Sequence, residues 1–322
     1  MTSRRAPIAI AALVAGLGAG GWLVSGAAAE DARGAGAGAT SGTTTGGTAA
    51  TAATTTATAD DVGAAEVPHP LRAAVDAGQH VRLDTDHGAV HVWVPAGYHA
   101  DGAATIVYVH GYYTDVDQAW TNHQLPEQFA LSGLDAVFIA CEAPAGSRPA
   151  VSWTSMGDLL DTVFARTTIT RPMGPVIAVG HSGAFRTLLT WLDYPLLDQI
   201  VLVDALYAEV EPFRAWLAAS PSHRLIDVGE DTVRWTDELA RAEAGEGSIE
   251  VDRFPFEDRG WPEGAFEARL LTVRSQMGHM ELVTAGVALP MLLRLLPVEV
   301  LPDAPWDQPL GSLPALPTAD GR

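Results

Sequence analysis

The feature that most restricts the fold of this chain is a regular alternation of short apolar runs and amphipathic segments between residues 80 and 297. Runs such as 105–109 (TIVYV) and 199–203 (QIVLV) are apolar throughout, as are strands that are buried on both faces of a sheet. The segments between the runs repeat apolar residues with helical spacing. This alternation predicts an α/β domain whose mostly parallel sheet is covered by helices on both faces.

The same patterns give approximate element boundaries. The predicted strands are 81–86, 89–94, 105–109, 135–141, 175–179, 199–203, 223–228 and 268–273. The predicted helices include 151–164, 183–193, 209–219, 232–243 and 281–296. The first two strands flank a turn at His87–Gly88, which predicts an antiparallel edge. The stretch between 203 and 223 is too short for a large helical cap.

Composition excludes several classes of chemistry. All 19 basic residues are arginines, and 39 acidic residues bring the formal charge to −20. Without lysine there is no Schiff base and no P-loop lysine, and no arginine cluster forms the basic stripe of a nucleic-acid binder. The single cysteine, Cys141, leaves no internal disulfide and no multi-cysteine metal site. We therefore predict no cofactor, no metal and no nucleic-acid partner; the sequence does not indicate an oligomeric state.

The first 29 residues have the pattern of a signal peptide. Arg4 and Arg5 precede an apolar stretch from Ile8 to Val24, and Ala27–Ala29 supplies an A-x-A cleavage pattern. The apolar stretch is short for a membrane span, so an uncleaved anchor is the less favoured alternative. The sequence thus predicts export to the cell envelope, the periplasm or the medium, with no stable membrane span after cleavage.

Three further regions follow the signal peptide. Residues 30–66 are rich in Ala, Gly and Thr and contain too little apolar surface to fold, which predicts a flexible linker. Residues 67–300 carry the strand and helix pattern and are predicted to form the folded domain. Residues 301–322 are proline-rich and are predicted to be an irregular tail.

The junction between the strand at 175–179 and the helix at 183–193 carries a nucleophile motif. Gly180-His181-Ser182-Gly183-Ala184 matches G-x-S-x-G except for alanine at the last position. In this motif the turn is so tight that the serine takes a strained conformation, and its neighbours two positions away must be small. Ser182 is the predicted nucleophile.

A nucleophilic serine needs a base, and His279 is the predicted one. It lies in GHMEL, in the loop between the last strand and the last helix, from which it can reach the motif. The third member of a triad is an acid that orients the histidine, and here the sequence leaves alternatives. Asp231 is favoured and Asp204 is the alternative, since each follows the end of a strand; Asp227 and Glu230 are weaker candidates.

Acyl transfer also needs donors for the oxyanion. The backbone N–H of Gly183, which follows the nucleophile, is one predicted donor. The second is predicted to be the N–H of Tyr112, because His110-Gly111-Tyr112 follows the strand at 105–109. Tyr112, Tyr113 and Trp153 are candidates to line a substrate groove, as are Phe254, Phe256, Trp261 and Phe266 of the 244–267 insertion.

Through HGYY at 110–113, GHSGA at 180–184, GED at 229–231 and GHMEL at 278–282, the chain resembles the α/β-hydrolase superfamily. The resemblance covers about residues 80–297. It implies an eight-stranded, mostly parallel sheet and a metal-free serine esterase of the carboxylesterase or lipase type, acting on a small-molecule or polymer-borne ester. The alternatives are an amide substrate, an acyltransferase with the same triad, and an inactive hydrolase-fold binding module of the envelope.

Overall fold

The computed structural model describes residues 70–255 and 260–305. Its strands are β1 (Gln79–Thr85), β2 (Gly88–Val94), β3 (Ala104–Val109), β4 (Ala136–Cys141), β5 (Val176–His181), β6 (Leu197–Val203), β7 (Arg224–Gly229), β8 (Ser248–Val251) and β9 (Leu270–Arg274). Its α-helices are α1 (Pro70–Ala77), α2 (Val116–Asn122), α3 (Leu125–Ser132), α4 (Met156–Arg166), α5 (Phe185–Trp191), α6 (Val210–Ala219), α7 (Val233–Ala242), α8 (Glu281–Thr284) and α9 (Ala288–Leu293).

The described strands form one sheet in the order β1-β2-β4-β3-β5-β6-β7-β9-β8. β2 is antiparallel to both β1 and β4, and the remaining pairs are parallel. The predicted α/β class, with its mostly parallel sheet and antiparallel edge, is confirmed. The sheet has nine described strands where eight were expected, because Ser248–Val251 of the predicted insertion adds a short parallel strand beside β9.

The central strands are apolar because a separate core packs on each of their faces. In β3, Ile106 and Tyr108 belong to the core beneath α2, α3 and the C-terminal helices, whereas Val107 and Val109 belong to the core beneath α4, α5 and α6. All six residues of β3 are buried, as in β4, β5 and β7. A strand buried on both faces favours apolar residues on each of them, which explains the mostly apolar runs.

One local prediction differs from the structure. The helix predicted at 281–296 is two short helices, α8 and α9, separated at Gly286, whose φ is +71°. Glycine adopts this left-handed backbone readily, so it ends a helix there. At the boundary between the predicted domain and the predicted tail, Val300 forms a bridge with Leu134 and Leu301 donates its N–H to the Gly133 carbonyl.

Other predictions fall partly or wholly outside the described residues. The predicted signal peptide and linker, with residues 67–69, lie there, as do Phe256 and residues 306–322. Within the described ranges, no helix has the length and apolarity needed to cross a membrane. The connection from β6 to β7 contains α6 alone as regular structure, in agreement with the absence of a large cap.

Arg224, at the start of β7, connects three segments of backbone. Its guanidinium is buried and donates to the carbonyls of Ala268, Leu295 and Ala265. Burial lowers its pKa to about 10, so the group remains charged at neutral pH. No carboxylate is within ion-pair distance in the described residues, and the charge is therefore stabilised by carbonyl dipoles.

Replacing this side chain with one of similar length but no donors should destabilise the fold. We expect Arg224→Met to lower the free energy of unfolding by about 2–4 kcal/mol, because three buried carbonyls lose their donors. Urea unfolding followed by circular dichroism measures the change. Arg72→Met is the control, since Arg72 forms an exposed ion pair with Asp76, a type that contributes little. Equal midpoints for the two variants would contradict this account.

Candidate active site

The site lies at the carboxyl ends of the parallel strands. Strand register places Val109, Gly180, Leu202, Asp227 and Thr272 in one row across the sheet. Residues just beyond this row therefore emerge side by side, and they include Gly111, Ser182 and Asp204. The loops there line a cavity of about 950 Å³, which Ser182, His279, Tyr112 and Gly183 all border.

Ser182 occupies the tight turn that the motif predicts. Its φ is +53°, a left-handed conformation that is strained for a residue with a side chain. The turn holds because its surroundings are small: a Cβ on Gly180 would lie 2.9 Å from Leu188, and one on Gly111 would lie 2.8 Å from the Ser182 Cβ. Ala184 is fully buried beside Gly180. The backbone thus presents the Ser182 hydroxyl at the start of a short 3-10 turn (182–184) that leads into α5.

The structure pairs His279 with Asp204. The His279 Nδ1 lies 2.6 Å from Asp204 Oδ2, and the Asp204 side chain is completely buried. Because a carboxylate can only accept, Nδ1–H donates to it, and Nε2 is left as the free acceptor of the ring. This is the tautomer that a general base needs.

Asp204 is itself held by the segment after β7. Its oxygens accept from the backbone N–H groups of Glu230, Asp231 and Thr232, and from the Thr232 hydroxyl, at 2.7–3.1 Å. Its own N–H donates to the Val228 carbonyl, and its φ is +48°. The carboxylate is thereby fixed in position by the neighbouring strand.

The acid favoured by the sequence, Asp231, is not the one in contact with the histidine. Its nearest carboxylate oxygen is 3.8 Å from His279 Nδ1, and its side chain is 60% exposed. Asp231 and Glu230 instead use their backbone N–H groups to hold Asp204. Asp227 is buried within β7, and burial raises its pKa to about 7. Of the two acids that the sequence left open, Asp204 is thus the closer to His279, at 2.6 Å against 3.8 Å.

Burial and hydrogen bonding act in opposite directions on this pair. Burial alone raises the pKa of Asp204, but the bonds from His279, Thr232 and Glu230 outweigh it and hold the pKa below the ordinary value. The hydrogen bond to Asp204 raises the pKa of His279 above 6.5, despite partial burial. The carboxylate thus stays ionised and stabilises the imidazolium form.

The two residues predicted to supply the oxyanion donors, Tyr112 and Gly183, are in close contact. A Cβ on Gly183 would lie 2.3 Å from Cδ1 of the Tyr112 ring, so the ring packs directly on the glycine backbone. The N–H of Tyr113 donates to Ala145, whereas that of Tyr112 donates to no backbone oxygen in the described part of the chain. His110 Nδ1–H donates to the Gly111 carbonyl at 2.7 Å, and its Nε2 lies 3.0 Å from Ala143 N and 3.1 Å from Glu142 Oε1. His110 therefore fixes the peptide that precedes Tyr112.

Two further residues at the site had no distinguishing signal in the sequence. Tyr207, in the loop after β6, borders the cavity together with Ser182, and burial raises the pKa of its hydroxyl. His181 lies beneath the site, and its Nε2 is 3.3 Å from the His279 carbonyl. Burial lowers the pKa of His181 to about 3, so it supports the base as a neutral ring.

The predicted aromatic groove is only partly present. Tyr112 and Tyr113 line the cavity, together with Phe185 and Tyr207, which the sequence analysis had not selected. Trp153 and Phe254 are buried elsewhere, Trp261 packs on the core, and Phe266 is exposed away from the cavity. The insertion is used for packing and for strand β8 because its apolar side chains face the sheet.

The same residues contain a group with the spacing of metal ligands. Asp204, Asp231 and His279 each offer one ligand atom, all within 4.8 Å of one another. Both Asp204 oxygens, however, already accept from protein donors, and His279 Nδ1 carries the proton of the Asp204 bond. The hydrogen bonding of these residues thus fits a histidine oriented by a carboxylate rather than a metal centre.

No protein-family model matches the chain, and no curated protein does. Solved structures with a similar fold include a CIB-like hydrolase from Thermoplasma acidophilum (16% identity, 68% of this chain and 95% of the other, TM-score 0.42). Another is a feruloyl esterase module from Clostridium thermocellum (11%, 71% and 91%, TM-score 0.43). A third is an S-formylglutathione hydrolase from Staphylococcus aureus (13%, 52% and 88%, TM-score 0.39). Similarity at this level does not determine what this chain acts on.

Proposed function

We propose that this chain, whose strand order and serine turn are those of the α/β-hydrolase fold, is a serine hydrolase that cleaves esters through an acyl-enzyme. The observation that carries the proposal is the 2.6 Å contact between His279 Nδ1 and the buried Asp204, beside a strained Ser182 in the same cavity. A structural histidine needs no buried carboxylate held by four donors, and an idle serine needs no left-handed backbone.

In the proposed first step, the Ser182 Oγ attacks the ester carbonyl while His279 Nε2 takes the hydroxyl proton. The carbonyl oxygen gains the electron pair and is stabilised by the N–H groups of Gly183 and Tyr112. The tetrahedral intermediate collapses, the bond to the alcohol breaks, and His279 returns the proton to the departing alcohol oxygen. An acyl ester on Ser182 remains.

Water completes the proposed cycle. It attacks the acyl carbonyl as His279 Nε2 removes one of its protons, and collapse of the second intermediate releases the acid and returns that proton to Ser182. Asp204 accepts no proton in either step. It stabilises the imidazolium and preserves the tautomer in which Nε2 faces the serine.

Labelling with a fluorophosphonate tests the proposal. We expect the uncharged probe to modify Ser182 of residues 30–322, with the adduct located by mass spectrometry, because only an activated serine displaces fluoride at a useful rate. Ser182→Ala should abolish the adduct, and His279→Ala should slow its formation by about 10³-fold or more. Both variants should retain the wild-type circular dichroism spectrum.

Three labelling results would contradict the proposal. A folded wild-type protein that takes up no label, or one that is labelled as fast without His279, would contradict the proposed mechanism. A label on a serine other than Ser182 would move the active site.

A further inference from the structure

The cavity at Ser182 is bordered by side chains that carry no formal charge at neutral pH, apart from the titrating base. Among its described lining residues there is no Asp, Glu or Arg. The ionisable ones besides His279 are tyrosines and two histidines, His123 and His181. Burial lowers the pKa of these histidines to about 4 and about 3, so both are neutral.

The charges nearest to the cavity would oppose an anion. Asp204 lies behind His279, and the exposed carboxylate of Asp231 is 3.8 Å from the His279 ring. On the loop that carries Ser147, Arg186 donates to the carbonyls of Gly146 and Pro149 and is thus used in holding that loop. Arg148, which follows Ser147 in the chain, is exposed and does not line the cavity. A carboxylate or phosphate on a bound substrate would therefore lose water without gaining a cationic partner.

Two aromatic pairs border the nucleophile. Tyr112 and Tyr113 contact each other edge to face, with ring centres 6.2 Å apart, and Phe185 and Tyr207 lie 5.8 Å apart. Trp235, 5.7 Å from Tyr207, supports the second pair from behind. These are the separations at which aromatic rings attract one another, and a ring entering the cavity could make the same contacts.

Tyr113 is unusual among these rings because its side chain is 91% exposed. Its backbone is nevertheless fixed, since φ is +65° and the N–H donates to the Ala145 carbonyl at 3.1 Å. Tyr113 therefore offers a large exposed ring, on a fixed backbone, to a molecule that enters the cavity. Met280, half exposed, adds a second apolar side chain to the lining.

The polar part of the lining consists of amides and hydroxyls. Gln118 and Asn122 lie one turn apart on α2 and both border the cavity, as do Thr114, Ser147 and Thr284. Amides and hydroxyls both donate and accept, so they pair with hydroxyl, ether or carbonyl substituents without a charge.

We propose that the substrate of this site is an ester that carries an aromatic ring and no negative charge, with the ring packed against Tyr113 and its neighbours. The inference rests on the proposed function, since it concerns the ester that Ser182 attacks. It specifies charge and ring character, which the catalytic residues themselves do not determine.

A series of methyl 3-phenylpropanoates tests the charge requirement. The para substituent is hydrogen, hydroxyl, carboxylate or trimethylammonium, and hydrolysis is followed by release of methanol. We expect kcat/KM for the two uncharged esters to exceed that for the carboxylate ester by about tenfold or more, the scale of one unpaired charge in a partly enclosed site. The trimethylammonium ester should not show this loss, because aromatic rings and the carboxylates beside His279 attract a positive charge. Asn122→Arg should raise the value for the carboxylate ester at least about tenfold relative to the uncharged ester. Asn122→Gln, which adds no charge, should leave that ratio unchanged.

The ring requirement is tested with methyl 3-cyclohexylpropanoate as the matched substrate. Tyr113→Leu keeps an apolar side chain but removes the ring, and Tyr113 is not part of the proposed catalytic machinery. We expect this variant to raise KM for the phenyl ester about threefold or more, with kcat unchanged, and to affect the cyclohexyl ester much less. An equal effect on both esters would overturn the aromatic part of the proposal.

Labelling of Ser182 separates the two levels of inference. If Ser182 is labelled but the carboxylate ester reacts as fast as the uncharged ones, the substrate proposal is wrong and the hydrolase proposal stands. A carboxylate ester that reacts faster, and loses that advantage in Arg148→Gln, would overturn it and assign a binding role to Arg148. If Ser182 is not labelled and no ester is hydrolysed, the hydrolase proposal fails and the substrate proposal fails with it.

Discussion

Asp204→Asn should reduce kcat by about 10⁴, whereas Asp231→Asn should retain activity within a few-fold. The amide that replaces the Asp204 carboxylate would present either a donor to His279 Nδ1 or an oxygen that no longer carries charge. The ring then loses the interaction that favours the tautomer with a free Nε2, and it loses stabilisation of its charged form. Asp231 lies 3.8 Å from the ring and is exposed to water, so its charge is screened.

Steady-state hydrolysis of an uncharged ester by the two variants measures this difference, with the fluorophosphonate adduct confirming that Ser182 is still the residue modified. Thr232→Val is a third variant, since it removes one of the donors that hold Asp204. It should give an intermediate loss. A larger loss in Asp231→Asn than in Asp204→Asn would restore the acid that the sequence favoured.

The pH dependence should report the same pair. The base must be neutral to accept a proton, so kcat/KM should fall as the pH decreases through the pKa of His279, which Asp204 raises above 6.5. Removing the carboxylate removes the largest cause of that rise. The residual activity of Asp204→Asn should therefore persist to lower pH than that of the wild type. If kcat/KM of the variant and of the wild type fell at the same low pH, a group other than His279 would control that fall.

Gly183→Ala should reduce kcat by about 10²–10³ with little change in the stability of the fold. Its Cβ would lie 2.3 Å from Cδ1 and 2.6 Å from Cγ of Tyr112, so the ring cannot yield by moving only its far end. Displacement of Tyr112 shifts the peptide that carries the second proposed oxyanion donor. Loss of one such donor typically costs a factor of this size.

Two comparisons make this result specific. Gly102→Ala is the matched control, because a Cβ there meets no atom within 4 Å. Tyr112→Ala keeps its backbone N–H but removes the ring, so adding Gly183→Ala to it should cost much less than in the wild type. If the two changes were additive, the glycine would be needed for some reason other than the ring.

Much of the fold could be predicted because the local pattern and the global packing agree. The runs 105–109 and 175–179 are apolar on both faces, and only the middle of a covered sheet accommodates such strands. Ser248–Val251 escaped prediction because it is an edge strand with a single buried residue, so its pattern carries almost no apolar signal. The division between α8 and α9 did have a signal in Gly286 and Pro290, which are poor residues for a continuous helix.

The parts of the candidate site that depend on adjacent residues could be predicted from the sequence, and the parts that depend on distant residues could not. Ser182 follows from a motif in which small neighbours permit a tight turn, and this requirement is written in adjacent residues. The choice between Asp204 and Asp231 is different, since both follow parallel strands that end at the same edge. The deciding factors are the left-handed backbone at Asp204 and three N–H groups from the next strand's loop, and neither is visible as a pattern along the chain.

Strand β7 separates a residue that stabilises the fold from the loop that positions the proposed catalytic acid. Arg224 at its first residue joins three backbone segments, and the loop beyond its last residue, Gly229, holds the acid of the proposed triad. Arg224 and Gly229 are five residue steps apart along the strand, about 17 Å. Substitutions near Arg224 can therefore change the free energy of unfolding without moving the Asp204 carboxylate. Substitutions in the 230–232 loop can change the pKa of His279 without disturbing the core. For engineering, thermal resistance and turnover are adjustable at opposite ends of one strand.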